Sequence, residues 1–386
     1  MKTAFILNDG KPSEGSIKSF LTLLKYFSSK NTETVIITPN KKETYKLLLQ
    51  SGYNVVSYPL RHNIYPTESL FKAPLKYIKY FYRRGLDLYA SAKIAIRCKK
   101  EHVDIIHSNS SVLTAGFRAS NWLKIPHITH IREYGDLDFS MNLPHLQHQL
   151  TSDNNYSIAI TKGIATHRPS KNQKIIYNGI IEPNRILNIQ KKEDFFLYAG
   201  RIEYSKGIDI LIDAFIEFCK KNPDSKTMLK ITGDYNTESS INLRSELLDK
   251  LSEANISDRV IWLGNRSDIS DFMAHALATI IPSRFEAFGR VMPEAISNGC
   301  IVIGKNTGGT KEQFDNGLKL CGHEIGFRFD TVKELSEIMT KIVNTDFNEF
   351  TSMIHGGFHT VMQLYTNSSY YNSVIEYYNE IIKCHD

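Results

Sequence analysis

The sequence predicts an α/β protein of two domains, each built on a parallel β-sheet with crossover helices. Three observations support this prediction. Short apolar runs alternate with longer amphipathic segments along the chain. The length of 386 residues exceeds what one hydrophobic core normally holds. The alternation also restarts after a polar stretch at residues 180–193 that contains Pro183, which we interpret as a linker.

The bulk composition, with 41% hydrophobic and 23% charged residues, is that of an ordinary globular protein. No apolar run approaches the ~18 residues that span a bilayer, and the first residues lack the features of a signal peptide. The five cysteines are scattered without a C-x-x-C pair, which favours reduced thiols over disulfides or a metal site. We therefore expect a cytoplasmic location and no metal.

Charge is distributed unevenly between the two halves. Residues 1–183 contain 25 Lys and Arg against 13 Asp and Glu, and the remainder contains 22 against 28. The two halves thus carry +12 and −6, which sum to the formal net charge of +6. This asymmetry predicts that the first half faces an anionic partner that the second half does not.

The opening of the chain has the spacing of a β-α-β unit. We predict a strand, a polar loop, a helix and a second strand, at residues 3–7, 8–16, 17–28 and 34–38. The loop contains Gly10 and Gly15, which do not have the G-x-G-x-x-G spacing, and no acidic residue ends the second strand. Both facts argue against a dinucleotide-binding dehydrogenase.

Residues 71–100 form a basic and aromatic segment with nine Lys or Arg side chains and a single acid, Asp87. We predict a pair of amphipathic helices here. One interpretation is peripheral contact with the anionic inner face of the cell membrane. The alternative is an ordinary domain helix with a solvated basic face. A nucleic-acid partner is not predicted, because no recognised binding module is present.

Two histidines follow predicted strands in the first half. His107 follows the strand at residues 103–106, and His130 follows the strand at residues 125–129. Open α/β sheets bind ligands at the carboxyl ends of their strands. Either histidine alone is more often a hydrogen-bonded structural residue, but two at matching positions favour a site. Further strands are predicted at residues 157–161 and 174–177.

The second half repeats the alternation. We predict strands at residues 195–199, 228–232, 260–263, 278–281 and 301–303, helices at 208–220 and 269–275, and one long helix at 358–382 that packs across both halves. The loop after the first of these strands, Gly200 to Gly207, contains Arg201 and Lys206. Two cations between glycines can clamp a diphosphate. The alternative is a surface loop with two solvated cations.

The stretch from Pro282 to Gly299 is predicted as a loop and a helix between two strands. Glu286 projects from the loop, Gly289 opens the helix, and Glu294 lies about one turn inside it. A helix start offers backbone N–H groups to an anion, and carboxylates accept hydrogen bonds from hydroxyls. A sugar nucleotide presents both kinds of group.

These motifs together resemble the retaining GT-B glycosyltransferases of family 4. The patterns G-R-x4-K-G, W-L-G, P-S-x3-E-x-F-G-x4-E-A and G-x4-G-x3-G-G occur in the family's order. The match is strong over residues 195–315 and weaker over 1–180. The resemblance implies two Rossmann-like β/α/β domains facing a central cleft. Residues 1–180 would bind the acceptor, residues 181–365 the donor, and residues 366–386 would form a helix crossing back to the first domain.

The resemblance also implies roles for individual residues. Arg201 and Lys206 would clamp the donor diphosphate, Glu286 would contact the donor sugar, and His130 would face that sugar from the first domain. These four are the expected catalytic residues. The expected donor-binding residues are Gly15, Gly200, Gly264, Asn265, Phe288, Gly289, Arg290 and Glu294, the last on the nucleotide ribose. The expected acceptor-binding residues are Ser16, His107, Asn109 and Arg132.

Two departures from the family pattern affect these roles. The usual glycine pair of the first loop is Glu14-Gly15 here, and the usual G-x-G after the strand at 228–232 is Gly233-Asp234-Tyr235. We therefore expect the acceptor or phosphate contacts of the first loop, and the shape of the second loop, to differ from those of the family.

The expected activity is metal-independent, retaining transfer of a sugar from a nucleotide diphosphate sugar to a hydroxyl of a glycan or lipid-linked acceptor. A UDP-sugar is favoured over a GDP-sugar, no cofactor is expected, and the setting would be bacterial surface polysaccharide synthesis. The alternatives are a sugar-nucleotide epimerase or a phosphorylase of the same fold, or a non-catalytic membrane-associated partner of a polysaccharide assembly machine.

Overall fold

A computed structural model describes residues 1–12, 14–30 and 32–385, and for residues 138 and 139 it describes the backbone only. The chain divides into two compact units. The first comprises Met1–Gly179 together with Asn367–Asp386, and the second is Ile180–Thr366. Both are α/β units with parallel sheets, as the alternation of apolar runs predicts.

The first unit contains strands β1 to β7 and most of its helices alternate with them. The strands are β1 (Lys2–Ile6), β2 (Glu33–Thr38), β3 (Val55–Ser57), β4 (Ile105–Ser108), β5 (His127–Ile131), β6 (Asn155–Ala159) and β7 (Gln173–Ile175). The helices are α1 (Gly15–Ser29), α2 (Glu43–Gln50), α3 (Pro74–Lys100), α4 (Ala115–Leu123), α5 (Asp136–Phe139), α6 (Leu146–Thr151) and α7 (Lys162–His167).

The second unit contains strands β8 to β13, and helix α15, which follows it in the chain, belongs to the first unit. The strands of the second unit are β8 (Phe195–Ala199), β9 (Met228–Thr232), β10 (Val260–Gly264), β11 (Ala278–Ile281), β12 (Ile301–Lys305) and β13 (Phe327–Phe329). The helices are α8 (Ile208–Lys221), α9 (Glu238–Glu253), α10 (Ile269–His275), α11 (Val291–Ser297), α12 (Gly308–Cys321), α13 (Val332–Val343), α14 (Thr351–Leu364) and, in the first unit, α15 (Asn367–Lys383).

The sheet of the first unit has the order β3-β2-β1-β4-β5-β6-β7, all parallel. Side chains alternate between its faces, as the two-residue period of a strand requires. Phe5 packs in a cluster with Phe20 of α1 and Tyr378 of α15, whereas Ile6 packs on the other face with Ile94 of α3. Both faces are thus covered by helices, which explains the apolar strands.

The sheet of the second unit has the order β10-β9-β8-β11-β12-β13, also parallel. Its main core joins alternate residues of β8, including Phe196, to Phe215 of α8 and Met339 of α13. In both sheets the strand order reverses next to the first strand of the unit. Open α/β sheets bind ligands at this switch point.

Three predictions of local structure are wrong. Residues 71–100 contain the single 27-residue helix α3 instead of a helix pair, because one glycine, Gly85, costs a helix only about 1 kcal/mol. The tail forms two helices, α14 and α15, separated at Tyr365 and Thr366. His107 and His130 lie inside β4 and β5 rather than beyond their ends.

None of the described helices combines the length and the hydrophobicity that a membrane crossing needs.

Candidate active site

In the second unit, the loops that follow β8 and β11 lie side by side because these two strands are paired at the switch point. Lys206 ends the first loop and Glu286 lies in the second. Their charged groups are in contact, with 2.7 Å between Nζ and Oε1. Ser283 donates a second hydrogen bond of 2.8 Å to the same carboxylate oxygen. The side chains of Lys206 and Glu286 are 23% and 18% exposed, so a ligand can reach both.

The backbone around this ion pair is fixed by contacts between the two loops. Gly207 has a φ of +66°, and a Cβ atom there would collide with the carbonyl oxygen of Pro282. Arg284 forms a two-pronged ion pair with Asp209, with distances of 2.8 and 2.6 Å. Burial opposes ionisation of Asp209, but the Arg284 guanidinium outweighs it and holds the pKa of that carboxyl below its ordinary value. The loops therefore present Lys206 and Glu286 on a rigid frame.

The first turn of α12 packs closely against the backbone of the Glu286 loop. Gly309 donates its N–H to the carbonyl of Glu286 at 2.7 Å, and a Cβ atom at Gly308 would lie 2.5 Å from that same oxygen. Gln313 donates to the carbonyls of Phe288 and Gly289, the latter at 3.1 Å. Only glycines allow so close an approach of two backbones.

The sequence analysis did not assign Gln313 a role. Its place one turn into the helix that begins with the double glycine is the signal that would have found it.

The predicted donor-binding residues of α11 are partly arranged as expected. Gly289 has a φ of +83° and lies two residues before the helix. Glu294 is the fourth residue of α11, and its carboxylate lies 3.4 Å from Arg290. Phe288 is buried and packs edge-on against Tyr365. Anion binding by the backbone N–H groups at the start of the seven-residue helix α11 stays a prediction.

Arg201 differs from Lys206 in its surroundings. Its side chain is 58% exposed and pairs with Glu203 at 2.8 Å. The structure therefore brings Lys206 to Glu286 but gives Arg201 a different partner. Because the guanidinium gives one of its five N–H donors to Glu203, the others are left for a phosphate, and a clamp made by both cations stays a prediction.

Three glycines stand next to one another at the carboxyl ends of β8, β9 and β10. Gly200 donates to the carbonyl of Thr232 at 3.0 Å, and Gly233 donates to the carbonyl of Gly264 at 2.9 Å. A Cβ atom at Gly233 would collide with the carbonyl oxygen of Gly200. Asn265 follows with its amide 3.5 Å from Asp234. The close approach of the two loops therefore requires glycine at Gly233, whereas the family's second glycine is replaced by Tyr235.

In the first unit, the predicted residues of the switch point are close together. Gly15 is the first residue of α1, and Ser16 receives two long hydrogen bonds of 3.4 Å, from Asn8 to its hydroxyl and from Asn109 to its carbonyl. Asn109 follows β4 and accepts from Arg132 at 3.0 Å.

The histidines of β4 and β5 are in direct contact. His107 Nε2 lies 3.0 Å from His130 Nδ1, and Arg132 Nη2 lies 3.3 Å from that same nitrogen. Both imidazoles are buried. Burial and then the positive charge of Arg132 lower the pKa of each well below its ordinary value, so both rings are neutral. The expected acceptor residues His107, Asn109 and Arg132 are therefore one buried network with His130.

Three members of this network were not predicted. Arg132 donates to Asn178 at 2.7 Å and to Tyr370 at 3.0 Å, and His107 contacts the hydroxyl of Tyr378. Both tyrosines belong to α15. No local signal identifies them, because they come from the far end of the chain.

A family model described as glycosyl transferases group 1 matches residues 181–354, which contain Arg201, Lys206, Glu286 and Glu294. This segment of the chain is therefore similar to the glycosyl transferases group 1. The fold agrees with this family: the architecture is GT-B, as the similarity to solved structures of glycosyltransferases shows. One of these is Anabaena Alr3699/HepE in complex with UDP, with a TM-score of 0.77, 20% identity and coverage of 98% of this chain and 100% of that one.

Curated relatives of this chain include "Lipopolysaccharide core biosynthesis mannosyltransferase LpsB" of Rhizobium meliloti, 25% identical over 36% of this chain and 39% of the relative. Another is "N-acetyl-alpha-D-glucosaminyl L-malate synthase" of Bacillus anthracis, 23% identical over 70% of this chain and 76% of the relative. The chain spans 39%, 52% and 23% of the lengths of the first three curated relatives that it matches.

Proposed function

We propose that this chain transfers a sugar from a nucleotide diphosphate sugar to a hydroxyl of a glycan or lipid-linked acceptor, with retention of configuration and without a metal ion. The observation that supports this proposal best is the Lys206–Glu286 pair of 2.7 Å at the switch point of the second unit. It lies within the segment that matches the glycosyl transferases group 1.

The chemistry of the pair suits glycosyl transfer. Negative charge develops on the diphosphate as it leaves, and a fixed cation beside it lowers the barrier. The ammonium of Lys206 has three N–H donors and gives one to Glu286, which leaves others for phosphate oxygens. Glu286 offers acceptors to the hydroxyls of the transferred sugar, and Glu294 offers them to the ribose. Retention would follow if the departing phosphate assists attack on the same face.

The choice of donor and setting rests on the relatives. A solved structure of similar fold is described in complex with UDP-glucose, and one curated relative is named for lipopolysaccharide core synthesis. We therefore propose a UDP-sugar as donor and a role in surface polysaccharide synthesis. His130, from the first unit, would contact the donor sugar, and Gly264 and Asn265 the base.

A thermal-shift screen of UDP-, GDP- and ADP-sugars, followed by product analysis with and without acceptor, tests this proposal. We expect a UDP-sugar to raise the melting temperature and to be consumed only when an acceptor is present. Consumption of the donor without any acceptor would favour the epimerase, and stabilisation by none of these sugars would contradict donor binding.

We further propose that α3 contacts an anionic membrane surface. Leu75, Ile78 and Tyr82 are 78%, 65% and 66% exposed, and with Tyr89 and Ile96 they follow helical spacing along one side of α3. Exposed basic residues flank this stripe, namely Lys76, Lys79, Arg83, Lys93, Lys99 and Lys100. An apolar stripe with a basic rim matches the interface of acidic lipids.

Flotation with phosphatidylglycerol vesicles tests this surface. We expect the wild type to float at low salt, and Ile78→Asp to remain in the soluble fraction. Ile241→Asp on α9 is the matched control, because Ile241 is 53% exposed and lies outside the stripe. Equal flotation of the two variants would show that the α3 stripe does not bind the vesicles.

A further inference from the structure

A row of three ring side chains in the first unit connects the C-terminal helix to the sheet. The hydroxyl of Tyr378 on α15 contacts His107 Nδ1. His107 Nε2 lies 3.0 Å from His130 Nδ1. All three side chains are buried, so the position of each hydrogen along the row is determined by its neighbours rather than by water.

Arg132 sets the direction of the hydrogen bonds in this row. A guanidinium only donates, and its Nη2 lies 3.3 Å from His130 Nδ1, so that nitrogen is an acceptor. His107 Nε2, which contacts the same nitrogen, must therefore carry a hydrogen and donate it. Since His107 is neutral, its Nδ1 is an acceptor and receives the hydrogen of Tyr378. Burial raises the pKa of the Tyr378 phenol well above its ordinary value, so the phenol keeps that hydrogen.

The consequence falls on the last atom of the row. With Nδ1 of His130 an acceptor and the ring neutral, the hydrogen of His130 is on Nε2. This nitrogen is buried, and no residue in the described part of the chain lies within hydrogen-bonding distance of it. A buried donor without a partner costs on the order of 1–3 kcal/mol, and such groups in native proteins usually have a functional or solvent explanation.

We propose that Tyr378 and His107 are positioning residues that hold His130 as a neutral hydrogen-bond donor, with its Nε2–H reserved for an oxygen of the bound sugar nucleotide. The identity of this ligand rests on the proposed function. His130 then contributes a fixed N–H and does not accept a proton, because its only basic nitrogen is already occupied by Arg132 and His107. Tyr378 of the C-terminal helix, 271 residues from His107 in sequence, thus takes part in positioning His130.

The positions of the ring hydrogens are directly measurable. Long-range ¹H–¹⁵N correlation spectra of the full chain, labelled with ¹⁵N in its histidine rings and assigned with His107→Gln and His130→Gln variants, report which nitrogen carries the hydrogen. At pH 7 we expect Nε2–H on both rings of the free protein. Nδ1–H on His130 would overturn the proposal whatever the protein's substrate is.

A pair of tyrosine variants on one helix separates positioning from stability. Tyr378→Phe removes the donor to His107 and should allow both tautomers of that ring. Tyr377→Phe is the matched control: its hydroxyl also belongs to α15 and donates to the carbonyl of Asn172 at 3.0 Å, and the residue is likewise buried. Both lose one hydrogen bond, but only Tyr378→Phe should change the spectrum of His107 and lower kcat/KM for the donor, by about five- to tenfold.

Substitutions at His130 distinguish a donor from a base. Gln retains an N–H near the position of Nε2 but is not basic, whereas Leu has neither property. A donor role predicts that His130→Gln keeps at least tenfold more activity than His130→Leu. Equal loss in the two variants, or equal kcat/KM in Tyr378→Phe and Tyr377→Phe, would overturn the proposal.

Failure of the proposed function can be told apart from failure of the hydrogen-bonded row. If no UDP-, GDP- or ADP-sugar is bound or consumed, the assignment of the ligand fails. The ring hydrogens of the free protein would then still confirm or contradict the hydrogen-bonded row.

Discussion

Removal of the Lys206 charge is the most direct perturbation of the candidate site. At an effective dielectric constant of about 20, a unit positive charge about 4 Å from a unit negative charge contributes about 4 kcal/mol. If that energy acts on the leaving diphosphate only in the transition state, its loss lowers kcat by about 10³-fold. We therefore expect Lys206→Ala to lose between about 10² and 10³ in kcat, as measured with the donor selected by the thermal-shift screen.

The same substitution should have a small effect on folding. The Lys206–Glu286 pair is partly exposed, and pairs of this kind contribute on the order of 1 kcal/mol. Glu286 keeps its hydrogen bond from Ser283. The free energy of unfolding, measured by urea denaturation, should therefore change by about 1 kcal/mol, too little to explain a large loss of activity.

A matched control removes an ion pair of equal length elsewhere in the same unit. Lys250 pairs with Asp213 at 2.7 Å, and both side chains are well exposed. Lys250→Ala should leave kcat and stability near those of the wild type. A kcat for Lys206→Ala within threefold of the wild type would refute the assignment of Lys206 to the leaving group.

Two further predictions concern stability. Burial lowers the pKa of His127 to about 4, so the unfolded chain takes up a proton near pH 6.5 that the folded chain does not. The free energy of unfolding therefore has its full value above about pH 6.5 and falls as the solution becomes more acidic. His127 alone accounts for a loss of about 2 kcal/mol at pH 5. Urea midpoints at pH 7.5 and 5 should show this loss in the wild type and equally in the exposed control His355→Gln; a midpoint independent of pH would contradict it. Gly207 and Gly322 have φ of +66° and +75°, but only at Gly207 would a Cβ atom meet a neighbour. Gly322→Ala should cost about 1–2 kcal/mol of stability, whereas Gly207→Ala should cost clearly more and reduce activity. Equal costs would show that the backbone at Pro282 moves away from the added Cβ atom at little cost in free energy.

The element types of the second unit were largely predictable. Strands β8, β9 and β11 and helix α10 have the predicted bounds, because short apolar runs bounded by glycine and polar residues leave few alternatives. The single helix α3 was not predicted, since the sequence of 71–100 contains Pro74 and Gly85 and does not show where the helix packs. The break between α14 and α15 is also invisible in the sequence, because Tyr365 and Thr366 are compatible with a helix and only their packing ends it.

What the sequence by itself determined is the alternation of strands and helices and the two loops that contain Lys206 and Glu286. These are local properties: the period of the apolar residues, and glycines and charges at fixed spacing. The tertiary structure alone decided which of these side chains meet. The pairing of β8 with β11 joins two loops 80 residues apart, and the return of α15 brings Tyr378 to His107. Such contacts depend on strand order and on burial, which no local window of sequence contains.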